Sequence, residues 1–337
     1  MAQPGVSVVV VSYNTLPQLR RCLAAIEPEH EIIVIDNAST DGSPDMVAGD
    51  FPHARLVRNE RNEGFGKANN QGIDLATREL VLFLNSDCYA SPGAISALAR
   101  IFFDQRQWPH VGQDGDGMPH VVAAGGRLLN LDGTLQESVA GPLDLRSVFF
   151  EQTMLERLLA PKGRGYWRTQ PLLRIWEFQQ EQENASRQAG LLAEEAHSFN
   201  QAFPATQVMG ACLMIRPLER FDERFFLYCE DTDLCKRLRR HGMIVYVPAA
   251  VFTHELGSSS APERWRSVAL YNRGKELYFS IHHGPLHAGV CWLLDRLGAL
   301  LRLIVWSLPA LVSRRARSKV ALFARVLFAP LRGPARG

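Results

Sequence analysis

A chain of 337 residues is long enough for one large domain or two and can bury a sizeable core. Hydrophobic content of 46% and charged content of 21% are those of a globular protein, and 37 Lys plus Arg against 35 Asp plus Glu exclude the overall basic field that gathers nucleic acid. The balance breaks down only at the C-terminus: from His287 onward the cations are Arg296, Arg302, Arg314, Arg315, Arg317, Lys319, Arg325, Arg332 and Arg336, and the only acid is Asp295.

The first half alternates strand and helix. Val6–Val11 reads as a strand, Leu16–Ile26 as a helix, Glu31–Asp36 as a second strand, and Ala54–Arg58 as a third. Gly64–Ala76 predicts a helix with a glycine-rich start, and Leu80–Leu84 a strand too apolar on both faces to lie at an edge. This rhythm predicts an α/β fold with a doubly wound, mostly parallel central sheet flanked by helices. Val121–Leu129 continues the sheet into a hairpin turn at Asn130–Gly133, after a glycine-rich loop over 107–119. Residues 151–200, rich in Glu, Gln, Leu and Ala, interrupt the strand pattern and predict a helical insertion or lid. Strand character returns at Gln207–Ile215 and Met243–Val247, with a helix over Thr232–His241 between them.

From Pro262 the chain reads as helical, ending in segments 286–308 and 314–329. Arg302 and Pro309 interrupt the apolar stretch Leu297–Val312, so amphipathic interfacial helices are expected rather than a spanning one. The expected division is 1–140, the first half of the α/β domain; 141–206, a helical insertion or lid; 207–284, its second half; and 285–337, a basic amphipathic helical segment.

The six cysteines form no Cys-x-x-Cys pair, which points to buried thiols in a reducing compartment rather than zinc or disulfides. The N-terminus has no basic region, and Val6–Val11 is too short for a signal peptide. A cytoplasmic protein is expected, peripheral on the inner face of the cell membrane.

Four polar clusters fall at strand ends or a helix start. They are Val11-Ser-Tyr-Asn-Thr15, Asp36-Asn-Ala-Ser-Thr-Asp-Gly42, Asn62-Glu-Gly-Phe-Gly-Lys-Ala-Asn-Asn-Gln-Gly72 and Asn85-Ser-Asp87. Open α/β sheets bind ligands at the carboxyl ends of their strands, where Asp87 would sit. A hard carboxylate oxygen there suits Mg²⁺ or Mn²⁺ bridging a diphosphate, whereas a turn and helix cap is the plain alternative. Asp36 suits hydrogen bonding to a base or ribose, or capping of loop amides. The amides opening the glycine-rich helix could meet a phosphate. A dinucleotide fingerprint fails because Gly64-Phe-Gly66 is followed by Asn69, and a P-loop fails because Arg61 stands where a glycine is required.

In their order and spacing these clusters resemble the family 2 glycosyltransferases of GT-A fold, most closely the bacterial rhamnosyltransferase-like branch. The likeness runs from about residue 6 to 280, leaving 141–206 unmatched. It implies an inverting transfer of a sugar, L-rhamnose from dTDP-rhamnose by branch, to a glycan or a saccharide linked to polyprenyl diphosphate. The implied donor-binding residues are Ser12, Tyr13, Asn14, Asp36, Asn62, Asn69, Asn70, Asn85, Ser86 and Asp87. Asn69 stands where many members have Arg, and Asn85 where the metal-binding Asp-x-Asp has its first Asp. The implied metal ligands for Mg²⁺ or Mn²⁺ are Asp87 and His254, and the acceptor residues are Gly210, Ala211 and Glu230. Asp231 matches the general base of the family's Glu-Asp motif.

On a helix Asp231 and Asp233 lie about 200° apart, so both cannot face one site. Asp233 has Arg237 four residues on and reads as an ion pair. Asp114-Gly-Asp116 has the Asp-x-Asp spelling but no strand before it. The expected partners are a nucleotide-diphosphate sugar, a saccharide acceptor, an anionic membrane surface and a possible second copy of the chain; nucleic acid is not expected. A non-catalytic sugar-nucleotide or glycan-binding protein on the same fold is the alternative. A sugar-nucleotidyltransferase would need a glycine-rich loop where Ser-Tyr-Asn-Thr stands.

Overall fold

In the computed structural model, residues 5–103, 120–155, 202–255 and 264–329 are described. The first half runs β1 (Val6–Ser12), α1 (Leu16–Ala24), β2 (Glu31–Asp36), α2 (Ser43–Asp50), β3 (Arg55–Arg58), α3 (Phe65–Leu75), β4 (Leu80–Asn85), β5 (Cys88–Ala90) and α4 (Ala94–Arg100). Then come β6 (Val121–Leu129), β7 (Leu135–Gln136), β8 (Val139–Ala140) and α5 (Leu145–Thr153). The second half has β9 (Phe203–Ala205), β10 (Gln207–Val208), β11 (Cys212–Ile215), α6 (Glu230–Leu238) and β12 (Met243–His254). Three helices close the described chain: α7 (Arg264–His283), α8 (Pro285–Ala310) and α9 (Arg314–Leu327).

The main sheet has the order β3-β2-β1-β4-β11-β6-β12-β5, with β7 beside β6 and β9 beside β12. Of the eight strands on this path only β11 and β5 run against the rest, so the expected mostly parallel α/β sheet is borne out. Successive residues of the apolar strands feed two cores. Val8, Val10, Val34 and Leu82 pack on one face with Leu19 and Leu98, while Val9, Ile33, Ile35 and Phe83 pack on the other with Leu234 and Leu238. A third core joins Val148, Phe225, Phe279 and Cys291, seating α5, α7 and α8 together. The hairpin at Asn130–Gly133 forms as expected, with Gly133 at φ 79° and Leu129 paired to Leu135.

Two strands differ from expectation, and both differences build the site. The strand expected over Gln207–Ile215 breaks into β10, which pairs with β8 in a separate sheet, and β11. Between them the chain turns, with the Cys212 amide donating to the Met209 carbonyl, because Gly210 sits against Asp231. The strand expected to end at Val247 instead runs on to His254. Pro248 cannot donate to a ladder, and a register shift between Val247 and Val251 carries the strand past it. The last three residues of β12 then pair with β5, placing His254 opposite Cys88 and beside Asp87. The short β5 gave no periodic signal of its own.

Of the expected insertion, residues 156–201 lie outside the described residues, as do Asp114 and Asp116. Its described part contains α5, opened by an Asp144–Ser147 capping box.

Candidate active site

The carboxyl ends of β1, β2 and β4 lie side by side in the sheet, Ser12 opposite Asp36 and Val11 opposite Asn85. Asp36 is 2% exposed; its Oδ2 accepts from the Ser39 amide at 3.0 Å, while its buried Oδ1 has no hydrogen-bond partner among the described residues. A buried acceptor left unmet costs about 1–3 kcal/mol, so it marks a place where a ligand donor fits. Asn14 and Ala38, at φ 54° and 65°, hold the two loops that rise beside it. Asn14 Oδ1 accepts the Thr40 amide at 2.8 Å, and Asp41 Oδ2 accepts the Leu16 amide at 2.8 Å. Tyr13 is 46% exposed at the rim. Ser12 lies beneath, in a buried hydroxyl chain through Thr15 (3.2 Å) to Ser86 (2.9 Å) that ties the end of β1 to the end of β4.

The glycine-rich start of α3 packs closely against residues 221–226. The Phe65 amide, first in the helix, donates to the Phe226 carbonyl at 2.9 Å. A Cβ on Gly64, at φ 86°, would stand 2.6 Å from that carbonyl, and one on Gly66 would stand 3.1 Å from Phe221 Cβ. Asn70 holds the same segment: its Oδ1 accepts the Phe221 amide and its Nδ2 donates to the Phe221 carbonyl, both at 2.9 Å. Asn69 Nδ2 donates back to the Phe65 carbonyl at 3.0 Å, and Asn62 Oδ1 accepts the Gly64 amide at 3.0 Å. Asn62 and Asn69 thus make local bonds within the segment, and Asn70 ties it to Phe221.

At the end of β4, Asp87 is 6% exposed, with its Oδ1 3.2 Å from His254 Nε2. Asn85 Nδ2 approaches the same Nε2 at 3.4 Å. The far side of the imidazole, Nδ1, meets Gln136 Oε1 at 2.6 Å. Gln136 carries no signal in the sequence, because nothing in a two-residue strand distinguishes it from any polar residue beyond a turn. A carboxylate and an imidazole nitrogen facing one another fit a divalent cation that takes its remaining ligands from a diphosphate and water. Among the described residues no group of three or more His, Cys, Asp and Glu side chains could hold a metal by itself.

Asp231 stands in the first turn of α6, which starts earlier than the sequence predicted. Its Oδ2 accepts the Gly210 amide at 2.9 Å and its Oδ1 the Thr232 amide at 2.7 Å. The neighbouring Ala211 carbonyl accepts the Asn85 amide at 3.0 Å, so the turn at 209–212 links the Asp231 carboxylate to the Asp87 corner. Tyr228 and Cys229, at φ 71° and 67°, aim the helix start. Two successive left-handed non-glycine residues cost of order 1–3 kcal/mol each and gather at functional sites. Glu230 is buried, with Oε2 unpartnered among the described residues. Burial, and then the Asp231 charge, push its carboxyl up to about 8. Asp233 is bonded to Arg237, as its spacing predicted, and its other oxygen lies 2.7 Å from His282 Nε2.

The strand ends thus carry an unmet buried acceptor, Asp36 Oδ1, at one side and a carboxylate–imidazole corner, Asp87 and His254, at the other, on the edge where open α/β sheets commonly take their ligands. Residues 7–117 match the family profile described as Glycosyl transferase family 2. It is 28% identical over 310 residues, 85% of this chain and 88% of the relative, to the N-acetylglucosaminyl-diphospho-decaprenol L-rhamnosyltransferase of Mycobacterium tuberculosis. It is 31% identical over 111 residues to the putative glycosyltransferase EpsH of Bacillus subtilis, covering 31% of this chain and 32% of EpsH. Among solved structures, the mannosyltransferase PcManGT of Pyrobaculum calidifontis with GDP-Man and Mn²⁺ superposes at TM-score 0.49 and 14% identity, covering 97% of this chain and 86% of that one. S. aureus TarS 1–349 superposes at TM-score 0.44 and 15% identity, covering 96% and 81%.

Proposed function

We propose that the protein is an inverting hexosyltransferase that moves L-rhamnose from dTDP-rhamnose to a saccharide on a polyprenyl diphosphate. The observation that carries this is the link from Asp87 and His254 through the 209–212 turn to Asp231, on the sheet edge where Asp36 Oδ1 awaits a donor. Thymine N3–H is a suitable donor to that oxygen, and uracil N3–H would serve equally. Asp87 and His254 would hold Mg²⁺ or Mn²⁺, whose charge offsets that of the departing diphosphate. Asp231 takes the proton of the acceptor hydroxyl as its oxygen bonds to the anomeric carbon and the bond to the diphosphate breaks on the opposite face. A base in this role contributes about 10²–10⁴-fold. The Gly210 and Thr232 amides fix the carboxylate's direction, and the missing side chain at Gly210 leaves its approach open. Glu230 and Ala211 are the adjoining acceptor-side residues. Residues 1–140 then supply the donor half and 207–284 the acceptor and catalytic half. The 28% identity to a protein named for rhamnosyl transfer to a decaprenol-linked N-acetylglucosamine supports both substrates.

We also propose that α8 and α9 rest on an anionic membrane surface. Of 17 exposed large hydrophobic residues among the described residues, 12 fall within 286–328. Leu286, Val290, Leu293, Leu297, Leu300, Ile304, Leu308 and Leu311 recur every three or four residues and so form one stripe. The only acid of this segment, Asp295, is buried. Arg296 and Arg302 are engaged with backbone carbonyls of 326–329 and 151–152, which leaves Arg314, Arg315 and Arg317 exposed beside the apolar end. Apolar area with basic flanks matches an anionic bilayer. Among the described residues no helix is long and apolar enough to cross a membrane.

The test is nucleoside-diphosphate release from a panel of sugar nucleotides, with Mn²⁺, Mg²⁺ or EDTA, in the presence of membrane extract as acceptor. Metal-dependent release from dTDP-rhamnose is expected. Silence with every donor would move the protein to the sugar-nucleotide-binding class.

A further inference from the structure

We infer that Gln136 is a positioning residue that sets the tautomer of His254 and turns the Nε2 lone pair toward Asp87. The inference rests on reading this corner as a metal site, but its decisive observation does not require the metal. Gln136 is buried on β7. Its amide orientation is fixed by chemistry. Nε2 lies 3.2 Å from the His254 backbone carbonyl, which can only accept, and 2.9 Å from Asn130 Oδ1. Asn130 is itself oriented, because its Nδ2 donates to Thr134 Oγ1 at 2.9 Å. The NH₂ group of Gln136 therefore faces these two acceptors, and its Oε1 faces His254 Nδ1 at 2.6 Å.

An amide oxygen only accepts, so Nδ1 must carry a proton. In the neutral ring Nε2 then has none, and it is this atom that stands 3.2 Å from Asp87 Oδ1 and 3.4 Å from Asn85 Nδ2. The arrangement suits a metal-ligating imidazole, whose second nitrogen donates to an oxygen that holds ring and tautomer. Gln136 grips the residue twice, at the backbone carbonyl and at the ring, so the strand end and the side chain are placed together.

The test uses the full chain labelled with ¹⁵N-histidine, in EDTA at a pH where the ring is neutral, with the His254 signals assigned by their loss in His254→Asn. The expected spectrum has the proton on Nδ1; a proton on Nε2 in the wild type overturns the inference. The second readout is Mn²⁺ affinity by electron paramagnetic resonance. Gln136→Met should weaken Mn²⁺ about 10–100-fold and release the tautomer. Gln136→Glu, which keeps an acceptor for Nδ1–H but loses both donors, should retain the Nδ1–H form and most of the affinity. Equal damage in the Glu and Met variants would show a merely structural role and contradict the inference. Wild-type protein that binds no Mn²⁺ yet shows Nδ1–H would instead refute the metal reading and leave the positioning intact.

Discussion

The donor half and the C-terminal helices put their polar and apolar groups to opposite uses. In the donor half the apolar side chains are inside, and its distinctive loose end is a polar one, Asp36 Oδ1. In α8 the charged groups that face the core are tied down: Lys275 of α7 bonds Asp295 at 2.7 Å, and Arg302 bonds carbonyls of residues 151–152. There the loose ends are apolar, in the stripe from Leu286 to Leu311. An unmet acceptor recognises a small polar ligand, whereas an unmet apolar face recognises an extended apolar surface. One chain thus carries two kinds of incompleteness, each suited to a different substrate.

The strongest way to break this contrast is to uncouple the helices from the core. Lys275→Met leaves Asp295 buried without its partner, and loss of one member of such a pair costs about 3–5 kcal/mol. Burial already lifts the Asp295 carboxyl to about 6 against the pull of Lys275. A proton can therefore replace the lysine in acid, and denaturant melts should show a larger deficit at pH 8 than at pH 5.

At the polar corner, Asp87→Asn should lower Mn²⁺ affinity by at least about a hundredfold in titration, since outer-shell partners alone are worth 10–100-fold. On the apolar face, Leu293→Ser, Leu300→Ser and Ile304→Ser together should reduce partition onto anionic vesicles by roughly tenfold per residue. Turnover of a water-soluble acceptor should be unaltered, and unchanged partition would favour a second copy of the chain as the occupant of this face.

The smallest effect falls on Glu230. Its folded value near 8 exceeds the ordinary 4.5, so the folded state holds the extra proton. The associated stability is complete below about pH 4.5 and is lost as pH rises through about 8. Glu230→Gln, which mimics the neutral acid, should melt like wild type at pH 5 and a few degrees above it at pH 9.

The sequence was most legible where one segment determines its own fate. Apolar runs such as Leu80–Leu84 have only one way to bury both faces, so β1, β2 and β4 and their polar ends could be placed directly. Legibility failed where distant segments meet. The packing of Gly64 and Gly66 under residues 221–226 could not be read locally, because those residues lie some 150 positions along the chain. Gln136 has no local signature at all; its importance comes from a β12 that passes Pro248 by a bulge and arrives at His254. The apolar stripe of α8 was visible as composition, but its exposure could not be, because apolar spacing is the same whether a core or a membrane covers it.

The central claim is that Asp231 is the base, and single-turnover transfer by Asp231→Asn with donor affinity measured on the same protein tests it most directly. The account predicts donor binding within a few-fold of wild type and transfer slowed about 10²–10⁴-fold. Transfer at the wild-type rate, or loss of donor binding in step with transfer, would contradict it.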